Sequence, residues 1–323
     1  RAHHRKRTTL NFAQETTSFI KGLNEDLLVT YNHREQPGYT SKLQRYCDYM
    51  LIESLPAQWG YQHTPYMARY VRALETPFQG MTGIFHRSWG DFGSVKHRHQ
   101  LNYEIATSFS HGAMISIGDH LPPRGALEEP KYETIREAFK FGKKRKKELF
   151  QAESVADLAV VAEDGYDPSV NATDESVIGA SKALIESHFL FDIIDSSSAD
   201  NLNDYQAVIV PSGQVLKEEF ARKLDTYVEN GGNLLLTNTG SLSGEDFKLN
   251  CLGLSYRSLS PYSFSYLQLP SEISQGLPAG PMVSYNSMAR VHPQDARVLA
   301  TALTPTTERS GDRGFSHRQA PPE

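Results

Sequence analysis

From Thr8 to Leu149 short apolar runs alternate with longer helical stretches, and the alternation resumes in a different character from Ser154. Strands joined through helices run parallel, and a parallel sheet needs helices to cover it. The first half supplies four candidate strands: LLVTYN (Leu27–Asn32), YMLIESL (Tyr49–Leu55), FQGMTGIFHRSW (Phe78–Trp89) and GAMISIGDH (Gly112–His120). Helical spacing lies between them at Tyr66–Leu74, closed by Pro77, and at His99–Phe109. The basic run Lys140–Lys147 reads as the solvated face of a long helix. Polar and aromatic residues gather where each strand ends, which in a β/α barrel is the face that carries catalytic groups. Four such units make half of an eight-fold barrel.

The second half reads differently. DLAVVAED (Asp157–Asp164), FDIIDSSS (Phe191–Ser198), YQAVIVPSG (Tyr205–Gly213) and GNLLLTNTG (Gly232–Gly240) are near-continuous apolar strands. Helices are expected around Ser176–Ser187 and at Lys217–Asn230, the latter ended by Gly231 and Gly232. This is the pattern of a flavodoxin-like, doubly wound α/β domain. The Ser/Tyr/Pro-rich sequence past Leu254 offers short strands, assigned to the edge of that domain. The expected fold class is therefore α/β, the C-terminal half of a (β/α)8 TIM barrel followed by a flavodoxin-like domain. Residues 1–152 would form the barrel half, 153–305 the second domain, and 306–323 the start of a further segment. The chain opens on RAHHRKR without a start Met and stops in polar sequence, so a piece of a longer protein, open at both ends, is expected.

Composition narrows the partners. Of 323 residues 39% are hydrophobic and 22% charged, enough to bury a core, and the net charge is -5. That mild acidity leaves no electrostatic footprint for nucleic acid or an anionic membrane. No apolar run approaches the ~20 residues that cross a bilayer. Cys47 and Cys251 lie far apart, which excludes a disulfide framework and a Cys-rich zinc site. Few cysteines and no visible signal segment give a cytoplasmic expectation. Among twelve histidines, His97 and His99 stand two apart, unlike a helical metal pair. Both G-x-G-x-x-G after a strand and the phosphate-binding G-x-x-x-x-G-K-[ST] are missing. No metal and no organic cofactor is expected.

Several residues carry chemistry. Glu53 ends an apolar strand, where a partly desolvated carboxylate suits a general acid; from the residues alone, a strand-end ion pair or a helix cap is the simpler account. Trp59 and Tyr61 follow it and could present aromatic faces to a sugar ring. GIFHRSWGDFG places His86, Arg87, Trp89 and Asp91 on one strand-to-loop transition, able to bond hydroxyls and stack on a ring, or simply to close a barrel rim. SIGDHLPPRG ends a strand on Asp119 and His120, the carboxylate either binding hydroxyls or capping the turn before Pro122. Asn32 and His33 end the first strand in the same way. In VPSGQVL, Ser212 lacks the G-x-S-x-G context of a nucleophile elbow, so a structural or oligomerising role suits the second domain.

Two motifs carry a family resemblance. MTGIFHRSWGDFG is similar to the penultimate-strand motif ending in Ser-Trp-Gly of α-L-fucosidase-related glycoside hydrolases. HGAMISIGDHLPPRG resembles their last strand, Gly-Gly-Asn-Leu-Leu-Leu-Asn-Ile-Gly-Pro, departing from it at Ala113, Met114 and Asp119. Asp48–Gly125 thus looks like the C-terminal half of such a barrel. Ala156 to about Leu303 resembles the glutamine-amidotransferase-like domain that mediates trimerisation in β-galactosidases. The resemblance implies a retaining glycoside hydrolase, most like an α-L-fucosidase, acting on a carbohydrate and assembled as a homo-oligomer, such as a trimer, through the second domain. Glu53, after the sixth strand, would be the general acid/base. The Asp nucleophile would follow the fourth strand, upstream of Arg1. His33, Trp59, His86, Trp89 and Asp119 would position the sugar. A β-galactosidase would need a Glu after the seventh strand, and GMTGIFHRSW offers none. The alternatives are a β-galactosidase-like hydrolase or a non-catalytic carbohydrate-binding or assembly protein with a degenerate barrel. An amidotransferase centred on the second domain lacks its nucleophile in the expected turn. Half a barrel alone is expected to be inactive.

Overall fold

The computed structural model describes residues 2–32, 39–149, 152–163, 175–307 and 320–322. In order, its elements are α1 (Ala2–Leu23), α2 (Thr40–Leu43), β1 (Met50–Glu53), α3 (Pro56–Trp59), α4 (His63–Ala73), β2 (Phe78–Gly83), α5 (Arg98–Ser110), β3 (Met114–Gly118), α6 (Glu129–Lys143) and α7 (Lys146–Leu149). There follow β4 (Leu158–Val161), α8 (Glu175–Glu186), β5 (Phe191–Ile194), β6 (Ala207–Val210), α9 (Glu218–Glu229) and β7 (Asn233–Leu236). The short strands β8 (Leu242–Ser243), β9 (Asp246–Phe247), β10 (Leu254–Leu259), β11 (Ser265–Gln268), β12 (Met282–Ser284), β13 (Ala289–Pro293) and β14 (Thr301–Leu303) complete the chain. Two compact units result: Arg1–Pro211 with Gly232–Leu235, and Ser212–Gly231 with Leu236–Glu323.

In the first unit, β1, β2 and β3 form a parallel sheet in that order. Glu53 pairs in register with Met81, and Gly83 with Gly118. Side chains alternate across it. Met50 and Ile52 pack in one core with Tyr66, Met67 and Tyr70 of α4, while Ile115 and Ile117 pack with Leu101 and Ile105 of α5 and with Ile135 and Ala138 of α6. A Cβ on Gly80 would meet Ser108 of α5, so the same face of β2 carries Thr82. Beneath it lies a buried charge cluster: Thr82 Oγ1 and Lys96 Nζ donate to Glu104 Oε2 at 2.6 and 2.8 Å. The opposite face holds Leu51 and Glu53, Gln79 and Met81, and Met114, Ser116 and Gly118, and is buried less well, with Met114 exposed.

Three of the expectations for this half need correction. Leu27–Asn32 is not a strand. Asp48 N–H does donate to Val29 O at 2.8 Å, but Val29 N–H goes to the Asp48 carboxylate at 2.6 Å, so side chain replaces ladder and the segment only lies beside β1. The strand from Phe78 stops at Gly83 rather than running on to Trp89. Past it the chain turns into a loop in which Arg87 N–H donates to Asp91 Oδ2 at 3.1 Å and Gly90 and Gly93 take φ of +91° and +83°, values only glycine adopts readily. The basic run also does not lie on one long helix; α6 ends at Lys143 and α7 restarts at Lys146.

The second sheet of this unit has the order β5-β4-β6-β7, with β4 parallel to both β5 and β6. LAVV, FDII and AVIV are almost entirely buried, as parallel strands covered on both faces must be. Their residues Val160, Phe191, Ile193 and Ile209 share a core with α4. Polar ties reinforce that packing: Tyr70 OH donates to Asp195 Oδ2 at 2.5 Å, and Arg72 Nε to Asp192 Oδ1 at 2.6 Å.

In the second unit lie the short strands past Leu254 that the sequence assigns to the edge of the flavodoxin-like domain. They pair antiparallel among themselves, β10 with β13 and β11 between β12 and β14. Short strands separated by Ser, Pro and Gly turns can satisfy one another locally, without a crossover. Phe264, Tyr266 and Ala320 form a small core there, with Tyr266 OH donating to Ala320 O at 2.6 Å. Among the described residues no helix is long and apolar enough to cross a membrane.

Candidate functional site

The carboxyl ends of β1, β2 and β3 bring charged and aromatic groups to one rim. Glu53 is the last residue of β1 and belongs to the face away from the helices, because its neighbour Ile52 is taken by α4. It is only 9% exposed. Trp89 Nε1–H donates to its Oε1 at 2.7 Å, and Asn32 Nδ2 approaches its Oε2 at 3.3 Å. A carboxylate so placed is oriented by a charge-assisted bond on one oxygen.

Trp89 comes from the loop after β2 and reaches across to β3. A Cβ on Gly118 would stand 2.5 Å from its Cη2, so only glycine lets the indole lie there. Its ring centroid is 4.9 Å from that of Phe85, and the side chain remains 46% exposed. Next to it, His120 stacks on Phe85 with centroids 4.4 Å apart, and Phe92 closes from another side at 4.8 Å. Glu53, Asn32, Trp89, Phe85 and His120 thus make one continuous group.

The remaining expected residues stand around it or apart from it. Asp119 follows the parity of Ile115 and Ile117 and so turns toward α6, where Lys131 Nζ lies 3.7 Å from its Oδ1. Its Oδ1 also accepts the His120 N–H, while Oδ2 is buried without a hydrogen-bond partner. His86 is exposed in the same loop as Trp89, its backbone N–H donating to Ser94 Oγ at 3.1 Å. Asp91 closes that loop, its carboxyl held below the usual range by the Arg87 N–H. Trp59 ends the single turn α3, 44% exposed, with its ring 5.2 Å from His63. Burial lowers the His63 imidazole to about 4. Among the described residues no hydrogen bond or ring contact joins Trp59 or His86 to Glu53. His33 lies outside the described residues.

Sequence reasoning passed over His120 in favour of Asp119. The alternation of β3 was the available signal: continued two residues past Gly118, it puts His120 on the rim and Asp119 against a helix. His97 and His99, weighed as a metal pair, instead form a cap, with His97 Nδ1 accepting the His99 N–H at the start of α5. Among the described residues no three metal-ligating side chains converge.

Over 99% of its length the chain superposes on α-L-fucosidase isoenzyme 2 from Paenibacillus thiaminolyticus, at 29% identity and a TM-score of 0.88. It covers 49% of that chain. This chain is similar to glycoside hydrolases. Residues 181–251 match the family model of the β-galactosidase trimerisation domain. The fold recurs in β-galactosidase from Bacillus circulans sp. alkalophilus (19% identity, 92% of this chain and 50% of that one, TM-score 0.69). It recurs again in an exo-β-1,4-mannosidase from Opitutaceae bacterium strain TAV5 (12%, 92% and 61%, 0.60). The chain therefore spans about half the length of the first two solved structures. No curated protein sequence matches it.

Proposed function

We propose that this chain is the C-terminal half of the (β/α)8 barrel, with the following flavodoxin-like domain, of a retaining glycoside hydrolase most like an α-L-fucosidase. The observation that carries the reading is Glu53: a buried carboxylate at the carboxyl end of a parallel strand, its Oε1 fixed by Trp89 Nε1–H at 2.7 Å. The half-exposed face of β1-β2-β3 supports it, since residues such as Leu51, Met81 and Met114 there would line a barrel interior once further strands close the sheet. Likeness to the Paenibacillus fucosidase over 99% of the chain supports the choice of sugar.

In this reading an Asp from the remaining half attacks the anomeric carbon. Glu53 protonates the departing oxygen, then removes a proton from the water that releases the sugar. The retaining geometry requires the two carboxyl groups ~5–5.5 Å apart. Trp89 orients Glu53 and offers its exposed ring to a sugar face, with Trp59, His86 and His33 as further positioning groups, while Asp119 faces α6 and Lys131. The trimerisation-domain match supports self-assembly through the second domain, and the half barrel alone is expected to show no turnover of an aryl glycoside.

The test is turnover of aryl α-L-fucosides, β-D-galactosides and α-L-arabinosides by the full-length protein and its Glu53→Gln and Glu53→Ala variants. Loss of an acid/base should lower kcat/KM for poor leaving groups by about 10²–10⁴-fold. Azide should restore turnover of a good leaving group in Glu53→Ala. Full activity of Glu53→Gln on both kinds of leaving group would remove Glu53 from this role. Galactoside turnover alone would move the assignment to the β-galactosidase-like branch.

A further inference from the structure

We propose that His120 is a sugar-binding residue, its Nε2–H reserved for one hydroxyl oxygen of the substrate and thereby setting which sugar is accepted. This deepens the glycoside reading and rests on it. The tautomer follows from the backbone. Gly90 N–H donates to His120 Nδ1 at 3.2 Å, so Nδ1 holds a lone pair and the proton sits on Nε2. Gly90 can aim that N–H because it takes φ of +91°.

The donor created this way is left unused. His120 is 5% exposed, and its Nε2 is buried with no hydrogen-bond partner. Buried polar atoms are nearly always paired, so a tautomer-fixed donor without a partner marks a place where a ligand atom supplies the acceptor. The surroundings indicate its kind. The ring is packed by Phe85 and Phe92 and lies edge-on to Trp89 with centroids 6.4 Å apart. Aromatic faces beside one neutral donor suit a polyhydroxylated ring, with C–H faces and hydroxyl oxygens, better than an anion. Trp89 also binds Glu53, so the donor and the proposed acid/base flank the same indole.

Two variants separate binding from support. His120→Asn keeps an amide oxygen where Nδ1 accepts the Gly90 N–H but has nothing at the Nε2 position. His120→Gln reaches the Nε2 position with an amide N–H and gives up the Gly90 bond. Calorimetric binding of L-fucose, D-galactose and their monodeoxy derivatives to the full-length protein is the readout, with Glu53→Gln measured alongside. For one deoxy position wild-type affinity should fall about 10–100-fold, because a buried donor is left unpaired. His120→Asn should lose a similar factor on the parent sugar and bind parent and deoxy sugar alike, while His120→Gln retains part of the discrimination. Uniform weakening of every sugar by His120→Asn, or unchanged discrimination, would overturn the proposal. Binding of neither sugar by the wild type would overturn it too. Normal turnover by Glu53→Gln together with lost discrimination in His120→Asn would sink the acid/base assignment and leave this one standing.

Discussion

Both parallel sheets of the first unit end in carboxylates, but the two ends are put to different use. After β5, Asp195 accepts the Ser197 N–H at 2.8 Å, the Ser197 hydroxyl and Tyr70 OH, and Glu163 after β4 accepts the Ser196 N–H and hydroxyl. Those acids tie down their own DSSS loop. At the end of β1, Glu53 instead accepts from the indole of a long loop, and that indole in turn lies edge-on to the His120 ring. A strand-end acid is thus no sign of a site by itself. What distinguishes the β1-β2-β3 rim is that its acid is gathered with an indole, a phenyl ring and an imidazole from other parts of the chain.

The largest effect is expected beneath the first sheet, where Lys96 and Glu104 are 1% and 5% exposed. Lys96→Met leaves the Glu104 carboxylate buried and should cost about 3–5 kcal/mol of unfolding free energy in chemical denaturation. Lys96→Met with Glu104→Leu should recover most of that loss. If the single variant is as stable as wild type, the pair is not a structural element. Next, Asp195→Ala should cost about 3 kcal/mol by removing the acceptor that Tyr70 OH, the Ser197 N–H and the Ser197 hydroxyl share. It should leave the protein's glycoside turnover unchanged, whereas Glu53→Gln should lower turnover of poor leaving groups with little loss of stability. A shared phenotype would dissolve the distinction between the two rims.

How much of this could be read beforehand depended on how local the cause was. MLIE, LAVV and AVIV stand out as strands because their own apolar residues demand burial. Leu27–Asn32 has the same β-rich residues, yet whether it ladders is decided by the Asp48 side chain, nineteen residues from Val29. Glu53 and Trp89 were visible separately, but nothing in their spacing of thirty-six residues announces a bond between them. The Asp119 and His120 pair was legible in principle through strand parity. The Lys96–Glu104 cluster was not, since it exists only because α5 folds back along β2.

A pH test follows from the helices that cover the first sheet. His111 Nε2 accepts from Arg69 Nη1 at 2.6 Å and its Nδ1–H donates to Thr107 O at 2.7 Å, a neutral arrangement. Burial, with the nearby Arg69 and Arg72 charges, lowers the imidazole from 6.5 to about 4. Between these values the unfolded chain binds a proton that the folded one refuses, so stability is full above about pH 6.5 and declines until pH 4. The His111 share of that loss should be about 2–3 kcal/mol. His111→Gln should therefore flatten the fall in unfolding free energy between pH 7 and pH 4.5, leaving the contribution of His63. An unaltered slope would mean His111 is not held neutral.

The smallest expected effect tests how the first rim is assembled. Trp89→Phe removes the donor to Glu53 but leaves an aromatic ring near Gly118, and should cost only ~1 kcal/mol, because the indole is half exposed. Gly118→Ala would push a methyl to 2.5 Å from Cη2 and displace the same indole from the other side. Both substitutions should then lower sugar affinity through one cause, the lost seat of Trp89. Their effects should not add: in a Trp89→Phe background the shorter ring leaves space for the methyl, and Gly118→Ala should have little further effect. Additive losses would mean that Gly118 and Trp89 act independently, and that the indole is not what links the ends of β1 and β3.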